Sequence, residues 1–146
     1  MEIQVNSQQE ITGLKSQKIK RNLERILKDL GCPDKELSIL FTDDIRIAHL
    51  NNRYLGRKGP TNVLAFPMEE GPTSNFESPM LGDVVISVST ALREAKKHGE
   101  ALEHTIDRLL IHGLLHLLGY DHEKSTAEAK RMEKEEKRLI TLIRED

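Results

Sequence analysis

The most constraining feature of this sequence is the spacing of three histidines, His112, His116 and His122, with Gly119 between the last two. An α-helix turns about 100° per residue, so the first two imidazoles lie on one helical face, about 40° apart. Gly119 can adopt the left-handed conformation that ends a helix, after which His122 can turn back toward the other two. The spacing therefore predicts a divalent metal on three imidazoles. Three protein ligands leave a fourth coordination position open, as in catalytic zinc sites.

The composition is that of a small globular protein of 146 residues, 37% hydrophobic and 32% charged, with a net charge of −2. We expect one domain over residues 1–146, with its own hydrophobic core. No apolar run reaches the roughly 18 residues that a membrane span needs, and the N-terminus lacks the pattern of a secretory signal. The single cysteine, Cys32, has no partner for an internal disulfide. These features predict a cytoplasmic protein.

The apolar periodicity predicts an α+β fold, in which helices pack on one small mixed sheet of about four strands. We expect Ser89 or Thr90 to cap the third helix, and Ser125 with Glu128 to form a capping box at the start of the last one. Residues 69–80, which are rich in glycine, proline and serine, are expected to form a loop. The predicted strands are 1–6, 37–41, 61–66 and 82–88, and the predicted metal-bearing helix is 101–118.

The predicted metal site could catalyse hydrolysis. Zinc held by three neutral histidines lowers the pKa of a bound water from about 15.7 to about 7. The histidine spacing resembles that of the metzincin metallopeptidases, whose signature is His-Glu-x-x-His-x-x-Gly-x-x-His. The glutamate of that signature is the general base, and Gly113 stands in its place here. The comparison therefore predicts the ligand geometry and argues against peptidase chemistry, because glycine has no side chain that could act as a general base.

A second resemblance covers more of the chain. Residues 112–122 read His-Gly-Leu-Leu-His-Leu-Leu-Gly-Tyr-Asp-His, which resembles the signature of the YbeY family of bacterial metal-dependent endoribonucleases. The likeness continues upstream in Gly-Pro-Thr-Asn-Val-Leu-Ala-Phe-Pro at 59–67 and in Leu-Gly-Asp-Val-Val-Ile at 81–86. The resemblance implies one zinc ion, or another divalent transition metal, on His112, His116 and His122. It further implies cleavage of single-stranded RNA in 16S rRNA 3′-end maturation and ribosome quality control, with rRNA and the ribosome or its small subunit as partners.

One position departs from the family pattern. The family usually carries an arginine, thought to serve catalysis, directly after the tyrosine that corresponds to Tyr54, and this chain has Leu55 there. We hypothesise that Arg57, in a loop with glycines on both sides, supplies the positive charge. Its planar guanidinium can donate two parallel hydrogen bonds to a phosphate. The alternative is that Arg57 is an ordinary exposed loop residue.

The sequence leaves the proton path and the class of function open. Asp83, Asp121 or Glu123 could accept a hydrogen bond from a histidine ring, although a turn or strand-end role explains each of them more simply. The leading interpretation is a single-strand-specific metal-dependent endoribonuclease. The alternatives are a metallopeptidase-like hydrolase, and a non-catalytic ribosome-associated protein whose metal only stabilises the fold. The other histidines are expected to be surface or core residues: His49, His98 and His104.

Overall fold

A four-stranded mixed sheet forms the centre of the fold in the computed structural model, which describes residues 3–7, 14–68 and 80–144. Strands β1 and β4 run parallel to β2, and β3 pairs antiparallel with β4, in the spatial order β1-β2-β4-β3. This arrangement leaves β3 at one edge of the sheet and confirms the predicted α+β class. The strands are β1 (Ile3–Ser7), β2 (Glu36–Thr42), β3 (Val63–Pro67) and β4 (Met80–Ser87).

Five helices connect and cover these strands in the described part of the chain. The predicted metal-bearing helix is α4, and its bounds differ from the prediction by one residue at each end. No helix among the described residues is both long and apolar enough to cross a membrane. Of the loop predicted at 69–80, residues 69–79 lie outside the described residues, and Met80 begins β4. The helices are α1 (Ser16–Asp29), α2 (Asp44–Leu55), α3 (Val88–His98), α4 (Leu102–Leu117) and α5 (Thr126–Arg144).

The predicted N-cap of α3 is wrong, because β4 passes directly into the helix. Ser87, rather than Ser89 or Thr90, accepts a hydrogen bond on its Oγ from the backbone N–H of Thr90 at 3.3 Å. The buried Ser87 hydroxyl also donates to Asp44 Oδ1 at 2.6 Å, and the Thr90 hydroxyl donates to the same oxygen at 2.6 Å. Burial opposes ionisation of Asp44, but these hydrogen bonds and that of Arg93 hold its pKa below the ordinary value. The network joins the first turns of α2 and α3.

The two faces of the sheet are covered differently, because successive strand residues point to opposite sides. On one face, Leu37 and Ile39 of β2 and Val84 and Ile86 of β4 join the large core formed with α1, α4 and α5. On the other face, a small cluster forms from Leu64, Val85 and Ile47 of α2. Helix α4 lies within the large core and is the most buried helix, with Leu114 and Leu115 fully enclosed.

Gly113 brings the backbone of α4 against the sheet. A Cβ atom at this position would lie 2.8 Å from Val84 Cγ1 and 3.4 Å from Val63 Cγ2. Carbon atoms normally approach to about 3.5–4.0 Å, so the helix could not sit this close with any side chain here. The glycine therefore has a packing role, and it places the neighbouring His112 beside strands β3 and β4.

Candidate metal centre

The rings of His112, His116 and His122 converge at one point. Their centroids lie 4.7 to 5.2 Å apart, and one nitrogen of each ring lies within 4.8 Å of the others. The Nε2 atoms of His112 and His116 are 3.2 Å apart. A tetrahedral ion with metal–nitrogen bonds of about 2.0–2.1 Å needs ligand nitrogens about 3.3 Å apart, so small ring movements suffice to hold one ion. No carboxylate or thiol joins this group within residues 3–7, 14–68 and 80–144.

The turn after α4 returns His122 to the other two rings. Gly119 has a φ of 101°, its N–H donates to the carbonyl of His116 at 3.0 Å, and the N–H of Tyr120 donates to the carbonyl of Leu115 at 3.0 Å. This pair of bonds is the Schellman motif that ends helices at a glycine. The predicted role of Gly119 is confirmed.

Glu136 of α5 orients the first histidine. Its Oε2 lies 3.1 Å from His112 Nδ1, and both side chains are partly buried. Hydrogen bonding at Nδ1 places the ring proton there and leaves Nε2 free to face His116, which is the arrangement found behind many metal-binding histidines.

The protonation state of His116 suits a metal ligand. Burial lowers the pKa of this imidazole below its ordinary value of 6.5, and the nearby His112 and His122 rings lower it further. The ring is therefore neutral at pH 7, and a metal does not have to displace a proton from it.

The histidines lie in a cleft of about 530 Å³ whose walls come from the edge strand β3, the loop before it and the loop after α2. Arg57 and Leu55 both line this cleft. The Arg57 guanidinium is 3.7 Å from Glu123 Oε2, and both side chains are 62% exposed, so solvent weakens the ion pair. The structure thus places Arg57 and the three histidines in the same cleft. A catalytic role for Arg57 stays a prediction.

None of the three carboxylates proposed to accept a hydrogen bond from a ligand histidine does so in the structure. Asp121 Oδ1 accepts from the backbone N–H of Glu123 at 2.9 Å, so it stabilises the turn. Glu123 Oε1 is 3.9 Å from His122 Nε2, which is too long for a hydrogen bond. Asp83 is exposed on β4, where it pairs in register with Phe66. The histidines outside the motif are all exposed: His49, His98 and His104.

The sequence reasoning missed Glu136, although a signal for it exists. Met132, Leu139 and Ile143 are the buried residues of α5. Glu136 follows Met132 by four residues and precedes Leu139 by three, so it occupies the same inward stripe. A carboxylate in an apolar stripe needs a partner, because an unpaired buried charge is costly. Here the partner is His112.

Comparison with known proteins gives the family to which the chain belongs. A model of the family described as "Endoribonuclease YbeY" matches residues 2–144. A protein of that name from Syntrophotalea carbinolica is 44% identical over 99% of this chain and 97% of its own length. Those from Syntrophus aciditrophicus and Geobacter sulfurreducens are each 42% identical over 98% of this chain, and over 90% and 96% of their own lengths.

The fold also has a counterpart among solved structures. The solution structure of a Thermotoga maritima protein superposes with a TM-score of 0.65, at 24% sequence identity, over 97% of this chain and 88% of that one. At this identity the likeness concerns the fold alone. The family model and the full-length relatives carry the assignment: this chain belongs to the endoribonuclease YbeY family.

Proposed function

We propose that this protein is a metal-dependent endoribonuclease that cleaves single-stranded RNA, acting in 16S rRNA 3′-end maturation and ribosome quality control. The observation that carries the proposal is the convergence of His112, His116 and His122 in an open cleft, in a chain of the YbeY family. The substrates of the proposal are single-stranded RNA and rRNA, with the ribosome or its small subunit as partner.

The three histidines would hold one divalent ion per chain. Imidazole nitrogens suit zinc first, and nickel, cobalt and iron also accept them. An ion at such a site supplies Lewis-acid chemistry and a lower pKa for bound water. Glu136 would keep His112 in the ligating tautomer, and the lowered pKa of His116 would keep that ring neutral.

Arg57 is the proposed phosphate contact. Its guanidinium lines the cleft, and its exposed partner Glu123 is 3.7 Å away, so a substrate phosphate could replace that carboxylate at small cost. A bidentate arginine contact would orient the phosphodiester and counter the negative charge that develops in the transition state. Leu55, which lines the same cleft, cannot provide this contact because its side chain is apolar.

Peptidase chemistry has weaker support. The general base of the metzincins stands at the position of Gly113, where Val84 Cγ1 would lie 2.8 Å from any added Cβ. A side chain at this position would require Val84 or α4 to shift. The ligand spacing alone favours a metallopeptidase-like hydrolase.

The proposal is tested by incubating the purified protein with unstructured RNA, with a stable RNA hairpin and with casein, each with and without a chelator. We expect cleavage of the unstructured RNA alone, lost with chelator and in His116→Ala. Arg57→Ala should lower kcat/KM by about 10²-fold, as for loss of one transition-state donor, while Arg46→Ala on the same helix as Leu55 should not. Casein cleavage, or chelation that lowers only the melting temperature, would contradict the nuclease assignment.

The ribosomal part of the proposal needs its own substrate. Small ribosomal subunits that carry an unprocessed 3′ end of 16S rRNA should be shortened by the wild-type protein and left intact by His116→Ala. Cleavage of free RNA without any action on these subunits would retain the nuclease and remove its proposed place in rRNA maturation.

A further inference from the structure

An exposed aromatic side chain stands at the end of α2. Tyr54 is 58% exposed. Aromatic residues make up only 3% of the chain, so this exposed ring is one of few. Its ring packs edge-on against Phe66 of β3, with centroids 5.4 Å apart at 65°. The Arg53 guanidinium lies 5.5 Å from the Tyr54 centroid. The ring is thus held in place by two neighbours while more than half of its residue surface stays in contact with solvent.

Tyr54 lies on the face of the sheet that α2 covers, across the edge strand β3 from the metal cleft. The next residue, Leu55, lines the cleft, and Arg57 lines it two residues later. Phe66, which supports the ring, alternates in β3 with Ala65 and Pro67, which line the cleft, so Phe66 points to the opposite face of the sheet. The loop between is pinned from within, because the buried Asn51 donates through Nδ2 to the carbonyl of Gly59 at 3.0 Å. The aromatic ring and the three histidines therefore lie on opposite sides of the edge strand β3, and the chain segment that carries Leu55 and Arg57 connects the two sides.

The end of α2 and the loop after it carry three cationic side chains. Arg53, Arg57 and Lys58 lie within six residues of one another, and all three are exposed. Arg57 has the exposed partner Glu123, whereas Arg53 and Lys58 have no ion pair with any residue in the described ranges. Arg57 lines the metal cleft together with the carboxylates of Asp121 and Glu123. A chain with a net charge of −2 thus presents a local cationic surface around the end of α2. Such a surface is complementary to a phosphate backbone.

We propose that Tyr54 is a stacking platform for one unpaired base of the RNA strand, at a subsite that the strand reaches from the metal cleft by passing Arg57 and the edge of β3. This inference rests on the proposed nuclease function and specifies how the strand is held. Exposed aromatic rings combined with cationic side chains bind single strands in this way, since every base has a face that can stack. An arginine beside the ring adds cation–π attraction. A base within a duplex is already stacked and paired, so the platform selects unpaired RNA.

The absence of tryptophan from the chain gives a direct test. Tyr54→Trp introduces the only indole, and stacking of a base on it quenches its fluorescence. The variant is made in the His116→Ala background, so that the strand is not cut, and is titrated with single-stranded RNA. The matched control is Ile45→Trp in the same background, because Ile45 is 74% exposed in the first turn of α2, at the end away from the cleft. Binding is measured in parallel by the anisotropy of fluorophore-labelled RNA.

We expect single-stranded RNA to quench the indole fluorescence of the Tyr54→Trp variant and to leave that of the Ile45→Trp control unchanged. A matched RNA duplex, or inorganic polyphosphate, which has charge but no bases, should leave the fluorescence of both variants unchanged. Tyr54→Ala should raise the Kd for single-stranded RNA about five- to tenfold, the lower part of the range for one stacked base, and Tyr54→Phe should restore it. Equal melting temperatures for these variants would show that the loss is not one of folding.

Failure of this inference can be told apart from failure of the nuclease proposal. RNA cleavage by the wild-type protein, together with an unquenched indole in Tyr54→Trp and an unchanged Kd for Tyr54→Ala, would overturn the platform and leave the nuclease intact. Quenching by RNA without any cleavage would support the platform and remove the nuclease activity. Equal quenching by duplex RNA or by polyphosphate would also overturn the platform, because neither offers an unpaired base.

Discussion

Replacing Gly113 by alanine has two opposing effects on the free energy of unfolding: a gain in helix propensity and a steric clash with the sheet. In a helix interior, alanine is favoured over glycine by about 1 kcal/mol. Against this, the new Cβ would lie 2.8 Å from Val84 Cγ1 and 3.2 Å from its Cγ2. The first distance is about 0.7 Å less than the closest ordinary carbon–carbon contact of about 3.5 Å. Val84 is fully buried in β4, between β2 and β3, and has no room to retreat.

Overpacking of this kind costs about 1–3 kcal/mol. We therefore expect Gly113→Ala to lower the free energy of unfolding by about 1 kcal/mol, the excess of the clash over the propensity gain. The strain should also displace His112, which precedes Gly113, and so weaken metal binding several-fold.

A double-mutant cycle isolates the clash. Val84→Ala removes both methyl groups that the new Cβ would meet. In that background, Gly113→Ala should stabilise the protein by up to about 1 kcal/mol, so the coupling energy between the two positions is about 2 kcal/mol. Val85→Ala is the matched control, because Val85 belongs to the cluster on the opposite face of the sheet and its removal gives Gly113→Ala no extra room.

Urea unfolding of the metal-free proteins, followed by far-UV circular dichroism, gives each free energy by linear extrapolation. Equal stabilisation of the wild-type and Val84→Ala backgrounds by Gly113→Ala would contradict a clash between the new Cβ and Val84. That result would mean that α4 does not rest on the sheet at this residue.

Three further predictions concern the carboxylate behind His112 and two buried polar residues, Asp107 and Ser87. Glu136→Ala should weaken metal binding about tenfold by removing the acceptor behind His112, measured by competition with a chromophoric chelator, while Glu133→Ala on the exposed side of α5 should not change it. Asp107 is 6% exposed, and burial raises its pKa from 3.8 to about 6. The folded protein therefore holds this proton more tightly than the unfolded chain, and the resulting destabilisation develops as the pH rises from 3.8 to about 6. Asp107→Asn should exceed wild type in unfolding free energy by up to about 3 kcal/mol at about pH 7.5 and by only about 0.5 kcal/mol at about pH 4. Equal differences at both pH values in urea unfolding would contradict this. Ser87→Ala should lose about 1–2 kcal/mol in the same assay, because it removes the N-cap of α3 and one donor to the partly buried carboxylate of Asp44.

The parts of the site that follow from local geometry could be predicted from the sequence. The helical spacing of His112 and His116 fixes their shared face, and the Schellman bonds around Gly119 involve only residues within one turn. The strand and helix bounds were predicted to within a few residues for the same reason. These features depend on short-range interactions that any chain with this pattern would make.

The parts that depend on packing between distant segments could not be predicted with the same certainty. Glu136 reaches His112 across 24 positions only because α5 packs beside α4 at a particular angle. Gly113 was interpreted as the absence of a general base, and its contact with Val84 became visible only with the sheet in place. The N-cap at Ser87 was missed because no loop separates β4 from α3.

Metal content tests directly whether His112, His116 and His122 share one metal ion. Wild-type protein and His116→Ala are loaded with Zn²⁺, desalted and subjected to elemental analysis. We predict one ion per chain for the wild type and almost none for the variant. One tightly held ion in both proteins, or none in the wild type, would contradict the claim.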